Sequence, residues 1–384
     1  MKKIIVGLDI GSSAIRVIIT EAKTAPPAGA VLAMIRRPSR GIRQGFIVNL
    51  EEAVDSIAEA IRETEKVVKT KIRRVVLGVG GVSLESKTAE GSTAVARGDL
   101  EVGEIDINRA LDAAAATIPD ASNRTVIHRF PLSFKLDGKK VYGRPEGMKG
   151  SKLEVKGLFI SYSSQHLKDL IQAVEAAGVE VGEDDIVASP LAGGLVVLSK
   201  IQKTAGVALI SIGSQTTSVA VFEEGLPLSM QVFPVGSTNI TNDIALGLKI
   251  PLEEAERVKK GEADTAATRR KLDEIIEARL SDIFEYIEGH LKKLGRSGLL
   301  PAGVILSGGG ASVGGIETLA RDYLKLPART AAEQLGNNHK NQIKDPAWAV
   351  AYGLTLFGDS EEPIAVNGKK VAQGLLKYLK EFLP

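Results

Sequence analysis

Two stretches of the chain set glycine and hydroxyl residues at the bend between two β-branched runs. Val6-Gly7-Leu8-Asp9-Ile10 passes through Gly11-Ser12-Ser13 into Ala14-Ile15-Arg16-Val17-Ile18-Ile19. Much later, Leu209-Ile210-Ser211-Ile212 passes through Gly213-Ser214-Gln215-Thr216-Thr217 into Ser218-Val219-Ala220-Val221-Phe222. A bend of this kind directs backbone N–H groups and small hydroxyls outward, which suits a phosphate. One copy is an ordinary hairpin turn. Two copies far apart point to a duplicated domain closing on one nucleotide from both sides. Asp9, just before the first bend, has two readings: a carboxylate holding Mg²⁺ against phosphates, directly or through water, or one that bonds its own turn. Gly308-Gly309-Gly310 is a third cluster, open to close approach by a flat ring or sugar, or else a plain strand-to-helix turn. No Walker A loop and no dinucleotide G-x-G-x-x-G fingerprint occurs.

The elements that must position these bends follow from pattern. The 384-residue chain is long enough for two or more domains, and its aliphatic content with only 4% aromatics fits well-covered α/β sheets. A net charge of +2 argues against nucleic acid as a partner. The absence of cysteine excludes disulfides and thiol chemistry. No uninterrupted apolar run is long enough for a signal peptide or a bilayer span. Helical spacing of Val54, Ile57, Ala58, Ile61 and Val68 predicts a helix over 51–69, followed by a strand over 72–80. From 84 to 160 the grammar changes: a short helix over 106–117, strands over 126–135 and 152–161, and a turn at Asp137-Gly138 predict an inserted α+β subdomain. A helix over 165–177 resumes the α/β pattern, and Gly178-Val179-Glu180-Val181 ends it and starts an edge strand. Helices are predicted over 252–260, 267–294 and 347–356.

Taken in order, phosphate turn, phosphate turn and glycine-rich loop resemble the actin, heat-shock chaperone and sugar-kinase superfamily. The segments Ser39-Arg40-Gly41-Ile42-Arg43-Gln44-Gly45-Phe46-Ile47-Val48-Asn49-Leu50-Glu51-Glu52-Ala53-Val54 and Gly80-Gly81-Val82-Ser83-Leu84-Glu85-Ser86 narrow the resemblance to the FtsA family of bacterial cell-division proteins. It covers the chain nearly end to end. It implies an α/β fold of duplicated actin-like, RNase H-type domains around a nucleotide cleft, with an inserted α+β subdomain of SHS2 type. Domain I would take 1–83, 162–200 and 340–357, the insert 84–161, and domain II 201–339. A linker over 358–368 and an amphipathic membrane-targeting helix over 369–384 would follow.

The resemblance also implies roles. ATP would lie against Gly11, Ser12 and Ser13 from one side and Gly213, Ser214, Gln215 and Thr216 from the other, with Mg²⁺ at Asp9, held through water. Gly236 belongs to the segment approaching the nucleotide from domain II. Glu256 and Lys259 would reach the ribose, and Gly308, Gly309 and Gly310 the adenosine. Lys271 and Arg279 would take the acidic C-terminal peptide of FtsZ; from pattern alone they are a solvated helix edge. Further partners would be other copies of the chain in filaments, other division proteins through the insert, and the cytoplasmic face of the membrane at the division site. One departure stands out: the family's Asp at the start of the second turn is here Ser211, neither an anionic ligand nor a useful base. Slow or absent hydrolysis is therefore expected. A pilus-assembly adaptor of the same fold and a small-molecule kinase are the alternatives.

After the acidic break Asp359-Ser360-Glu361-Glu362-Pro363, the residues Val371, Leu375, Leu376, Tyr378, Leu379, Phe382 and Leu383 share one helical face, with Lys369, Lys370, Lys377 and Lys380 opposite. This reads as a membrane-surface helix; a helix docked on its own domain is the commoner fate of such a stretch. His128, His166, His290 and His339 show no ligand spacing, and Trp348 is expected to pack in the core.

Overall fold

A computed structural model of the chain describes residues 4–22, 30–96, 98–119, 121–262, 269–337 and 343–358. The tail residues Val371, Leu375, Leu376, Leu379, Phe382 and Leu383, and His339, lie outside them.

The first unit begins with β1 (Ile4–Ile10), β2 (Ala14–Glu21) and β3 (Val31–Pro38), paired antiparallel in that order. Two short strands, β4 (Ile42–Arg43) and β5 (Phe46–Ile47), lead into α1 (Leu50–Val68), after which β6 (Val76–Val79) lies parallel to β1. Helix α1 starts where the Asn49 side chain accepts from Glu52 N, with Glu51 and Glu52 favourably placed in the first turn. It ends at Lys69, whose φ of 52° leaves the helix in the left-handed region. Its buried stripe includes Ala53, Ile57, Ala60 and Ile61 and packs on β2 and β3.

The chain then builds the insert: β7 (Leu84–Ala94), α2 (Glu104–Ala115), β8 (Arg124–Leu136), β9 (Lys139–Val141) and β10 (Lys152–Ser163). Its strands form one antiparallel sheet in the order β7-β10-β8-β9, with α2 packed on β7 and β10. Helix α3 (Ser164–Ala176), β11 (Ile186–Ala188) and α4 (Ser189–Val197) return to the first unit, whose sheet runs β11-β6-β1-β2-β3. The edge strand expected at 178–181 is reduced to a single bridge between Arg74 and Glu180. Asp185 is the reason: it accepts from Gly182 N at 2.9 Å and pairs with Arg74, closing a tight turn that delays the strand to 186.

The second unit repeats the plan. After α5 (Lys200–Ala205) come β12 (Val207–Ile212), β13 (Thr217–Glu223) and β14 (Leu226–Phe233), then α6 (Ser237–Leu248), α7 (Leu252–Lys259) and α8 (Arg269–Lys293). β15 (Val304–Ser307) lies parallel to β12, and α9 (Ile316–Leu324), β16 (Ala328–Thr330) and α10 (Ala331–Asn337) follow. The sheet order is β14-β13-β12-β15-β16. Finally α11 (Ala349–Gly358) returns to pack on β1 and α4 of the first unit, with Trp348 against Ile343 and Tyr352. The second unit has its own core around Ile210, Val219, Ile283 and Phe284, and the insert has one around Leu111, Phe134, Leu153 and Phe159. The remaining large cluster joins the first unit to both: Leu8 and Ile57 share it with Phe130 and Tyr162 of the insert and Leu209 and Phe222 of the second unit.

Candidate functional site

The two bends are built alike. Gly11 N donates to Ala14 O at 3.1 Å, and Gly213 N donates to Thr216 O at 2.8 Å. Two residues before each glycine, equivalent rungs of the hairpins carry Asp9 opposite Arg16 and Ser211 opposite Ser218. Since β1 runs parallel to β6 and β12 to β15, each bend caps the carboxyl end of a parallel strand pair, where α/β sheets bind ligands. Asp9 lies 3.8 Å from Arg16 and is 14% exposed. Burial pushes its carboxyl above the usual range, and Arg16 offsets part of that. Across the repeat, Ser211 stands beside Ser307 of β15. A single carboxylate with neighbouring Ser12 and Ser13 is a donor set suited to Mg²⁺ that keeps most of its ligands as water and phosphate. No cluster of three or more His, Asp or Glu that could hold a metal ion occurs among the described residues.

The second bend is braced by α6. Ser237 N donates to Gly213 O and Thr238 N to Ser214 O, both at 2.8 Å, so two N–H groups at the helix start are spent on the bend. The contact is tight at Gly236, where a Cβ would lie 2.6 Å from Ser214 O and 2.7 Å from Gly213 O. Behind α6, Glu256 and Lys259 converge on Thr241. Lys259 Nζ donates to Glu256 Oε2 at 2.6 Å, to Thr241 Oγ1 at 2.7 Å and to Ser237 O at 3.2 Å, and Thr241 Oγ1 donates to Glu256 Oε2 at 2.6 Å. Burial pushes the Glu256 carboxyl up, but the bonds from Lys259 and Thr241 outweigh it and hold it below its usual range. The pattern of residues pairs Glu256 with Lys259 on one helix; it does not reveal Ser237 or Thr241, whose only signal is their spacing of one helical turn.

The third glycine cluster reaches the same place. A Cβ on Gly308, whose φ is 82°, would meet Ile212 O at 2.5 Å, and one on Gly310 would meet Ile212 Cγ2 at 2.4 Å. These two glycines make room for the strand that carries the second bend. Gly309 alone has nothing within 4 Å of its Cβ position and leaves open surface. The second bend, Gly236, Glu256, Lys259 and Gly308–Gly310 are thus joined in one unit, while Gly11, Ser12 and Ser13 sit in the other. Near the second bend, a direct bond between the units comes from Gln215, whose Oε1 accepts from Gln44 N at 2.8 Å.

Replacing Lys259 by Met is expected to lower stability by about 1–2 kcal/mol. Breaking a buried ion pair costs about 3–5 kcal/mol, and here water reaches the half-exposed Glu256 and reduces it. Urea denaturation at neutral pH measures the loss; an unchanged midpoint would rule out the bracing role of the triad.

Arg279 is committed to α6, with Nε on Asp243 Oδ2 at 2.6 Å, a second bond to Oδ1 at 3.1 Å and a third contact to Asp282. Lys271, two turns earlier on α8, is exposed. The structure therefore leaves Lys271 open and gives Arg279 two carboxylate partners. His166 bonds Ser83 at 2.6 Å, His290 bonds Ser229 at 3.0 Å, and His128 accepts from Ala188 N at 3.0 Å. Among the described residues no helix is long and apolar enough to cross a membrane.

Two family models match the chain: "Cell division protein FtsA" over residues 208–353 and "SHS2 domain inserted in FTSA" over 81–161. The chain is 34% identical to the cell division protein FtsA of Bacillus subtilis, over 95% of this chain and 85% of the relative. It is 31% identical to that of Pseudomonas aeruginosa, over 93% and 89%. Among solved structures, it resembles the PilM-PilN type IV pilus biogenesis complex with a TM-score of 0.68 at 20% identity, covering 93% of this chain and 99% of that one. MreB 5 of Spiroplasma citri bound to AMPPNP gives 0.54 at 13% identity, covering 93% and 96%. The likeness to both structures is one of fold: actin-like, with mixed sheets.

Proposed function

The chain belongs to the FtsA family of cell division proteins, and from that premise we propose that it is an ATP-binding, actin-like adaptor that polymerises on the cytoplasmic face of the membrane and tethers the FtsZ ring. The observation that carries the nucleotide part is the repeated bend, closed by the same backbone bond and set at the same end of both sheets. Its outward N–H groups suit the phosphates from both sides. Asp9 would hold Mg²⁺ through water, Glu256 and Lys259 would lie toward the ribose, and Gly309 is the open member of the loop facing the adenosine. An MreB structure of the same fold contains AMPPNP, which supports a nucleotide there.

Binding is expected to outrun turnover. Positioning an attacking water needs a base or an anionic ligand near the second bend, and Ser211 with Ser307 beside it supplies neither. A single-turnover ATPase rate typical of an active kinase would contradict this. Lysine and apolar residues of the tail over 369–384 would give weak membrane affinity per copy, strengthened by avidity along a filament. Lys271 and the α8 face around it would receive an acidic FtsZ peptide.

Electron microscopy on lipid monolayers tests the whole reading, with Mg²⁺ and ATP, comparing the full chain with one ending at Gly358. Filaments on lipid that vanish on truncation are expected. Nucleotide bound without filaments would favour a pilus-type adaptor or a small-molecule kinase instead.

A further inference from the structure

The loop Gln44-Gly45 occupies a position where three parts of the molecule meet. From the second unit, Gln215 Oε1 accepts from Gln44 N at 2.8 Å. From the insert's entry, Val82 N donates to Gln44 O at 3.1 Å. From its exit, the Tyr162 hydroxyl, at the end of β10, lies 2.9 Å from Gly80 O and 3.3 Å from Gly45 O. The chain crosses between the first unit and the insert only twice, at 80–84 and at 162–164, and both crossings are fastened to this loop. Tyr162 is fully buried, so its hydroxyl has no water to exchange with.

The joint is also stiff. A Cβ on Gly45 would lie 2.7 Å from Gly80 O, and one on Gly81 would lie 2.3 Å from Gln44 O. Backbone touches backbone there, with no side chain between to absorb a displacement. Gln44 itself is held at φ 52°, a conformation that costs a non-glycine residue free energy and persists because its neighbours over-determine it. Beside it, the Phe46 ring packs on His166 with centroids 4.4 Å apart, and His166 bonds Ser83 at the insert's entry.

We propose that Gln44-Gly45 is a relay: the position of the second phosphate bend, read through Gln215, sets the position of the insert through Val82 and Tyr162. The inference rests on the nucleotide reading of that bend. Domain closure on a nucleotide changes how the second bend sits against the first unit, and the Gln215–Gln44 bond spans that gap. Displacing Gln44 pulls on both insert crossings together, which swings the insert as a body. Linkage requires the converse: whatever holds the insert in one position alters nucleotide affinity by the same factor. A second path from the second unit to the insert exists, since Ser86 Oγ of β7 bonds both Met230 N at 2.7 Å and Met230 O at 2.9 Å. The test must separate the two.

The chain has no cysteine, so two introduced ones take spin labels uniquely. Val67→Cys on α1 and Tyr142→Cys in the insert are 55% and 87% exposed in the parent. Their separation is measured by pulsed electron paramagnetic resonance in the full chain, with and without Mg²⁺-AMPPNP. Nucleotide binding is titrated separately with a fluorescent ATP analogue. A nucleotide-dependent shift in the distance is expected in the labelled parent. Tyr162→Phe, which leaves the phosphate bends and Ser86 untouched, is expected to bind nucleotide within about twofold of the parent yet lose at least half of the shift. Gln215→Ala, measured at nucleotide saturating for that variant, is expected to lose it likewise. Binding with no shift in the parent overturns the relay and leaves the nucleotide reading standing. A shift that survives both variants overturns it too and assigns the coupling to the direct packing of β14 on the insert, where Ser86 bonds Met230. Failure of the parent to bind nucleotide overturns the underlying reading and the relay with it.

Discussion

Gly236→Val is expected to weaken ATP binding about tenfold or more while the chain remains folded. The position has an ordinary extended φ of −158°, so the backbone itself tolerates a side chain. Space is what is lacking, because even the first added carbon overlaps the carbonyls of Gly213 and Ser214. Overpacking of this kind costs about 1–3 kcal/mol. Relief requires α6 to back away from the bend, which breaks the Ser237 and Thr238 bonds at about 1 kcal/mol each. The same retreat carries Ser237 O and Thr241 away from Lys259, so the bend and the Glu256–Lys259 pair are disturbed together. The overlap and the broken bonds are alternative costs, so the site is displaced by about 2 kcal/mol, which corresponds to more than one decade in affinity. Titration with a fluorescent ATP analogue measures it, and circular dichroism establishes that helix content is kept. Affinity within threefold of the parent would show that the second bend does not hold the nucleotide.

The residues of that argument illustrate what sequence can and cannot disclose. Both hairpins are legible because strands covered on both faces need continuous aliphatic runs and the bend between the two antiparallel arms needs glycine, so composition and geometry coincide at 6–19 and 209–222. Helices α1 and α8 are legible for the same reason, through their apolar periodicity. β7 is not legible. Its sequence Leu84-Glu85-Ser86-Lys87-Thr88-Ala89-Glu90-Gly91-Ser92-Thr93-Ala94 lacks the large apolar alternation of a strand, because it meets α2 through small residues: a Cβ on Gly91 would lie 2.2 Å from Ala114 N. The displaced edge strand depends on Arg74 and Asp185, which are far apart in the chain and meet only after folding. At the site, spacing brings out the glycines and the Glu256–Lys259 pair, whereas Thr241 and Gln44 are contacts between separate elements and leave no local pattern. Gly308 and Gly310 look like an opening for a ligand, yet serve the packing of Ile212.

Acidification from pH 6.5 to 5 is expected to cost the folded chain about 2 kcal/mol through His128 alone. The imidazole on β8 is 5% exposed, and its Nε2 accepts from Ala188 N at the end of edge strand β11. That donor requires an unprotonated Nε2, and Nδ1 meets no partner. Burial accordingly lowers its pKa from the ordinary 6.5 to about 3. Above pH 6.5 the ring is neutral in the folded and unfolded chains alike, and its full contribution is present. Below it the unfolded chain gains a proton that the folded chain refuses, so stability falls by about 1.4 kcal/mol per pH unit until pH nears 3. His290, whose pKa burial also lowers, adds a slope of the same sign, so the comparison must be with a variant. His128→Gln keeps an acceptor for Ala188 N and removes the titration. Urea melts at pH 7, 6 and 5 should show the variant weaker than the parent at pH 7 and level with it or stronger at pH 5. Parallel curves would mean that the ring takes up its proton without loss of the β8–β11 contact. A converging pair would identify this contact as an acid-sensitive fastening of the insert to β11. An insert freed at β11 keeps its two chain crossings, the Ser86 bonds and its share of the large apolar cluster, so it loosens at one edge without detaching.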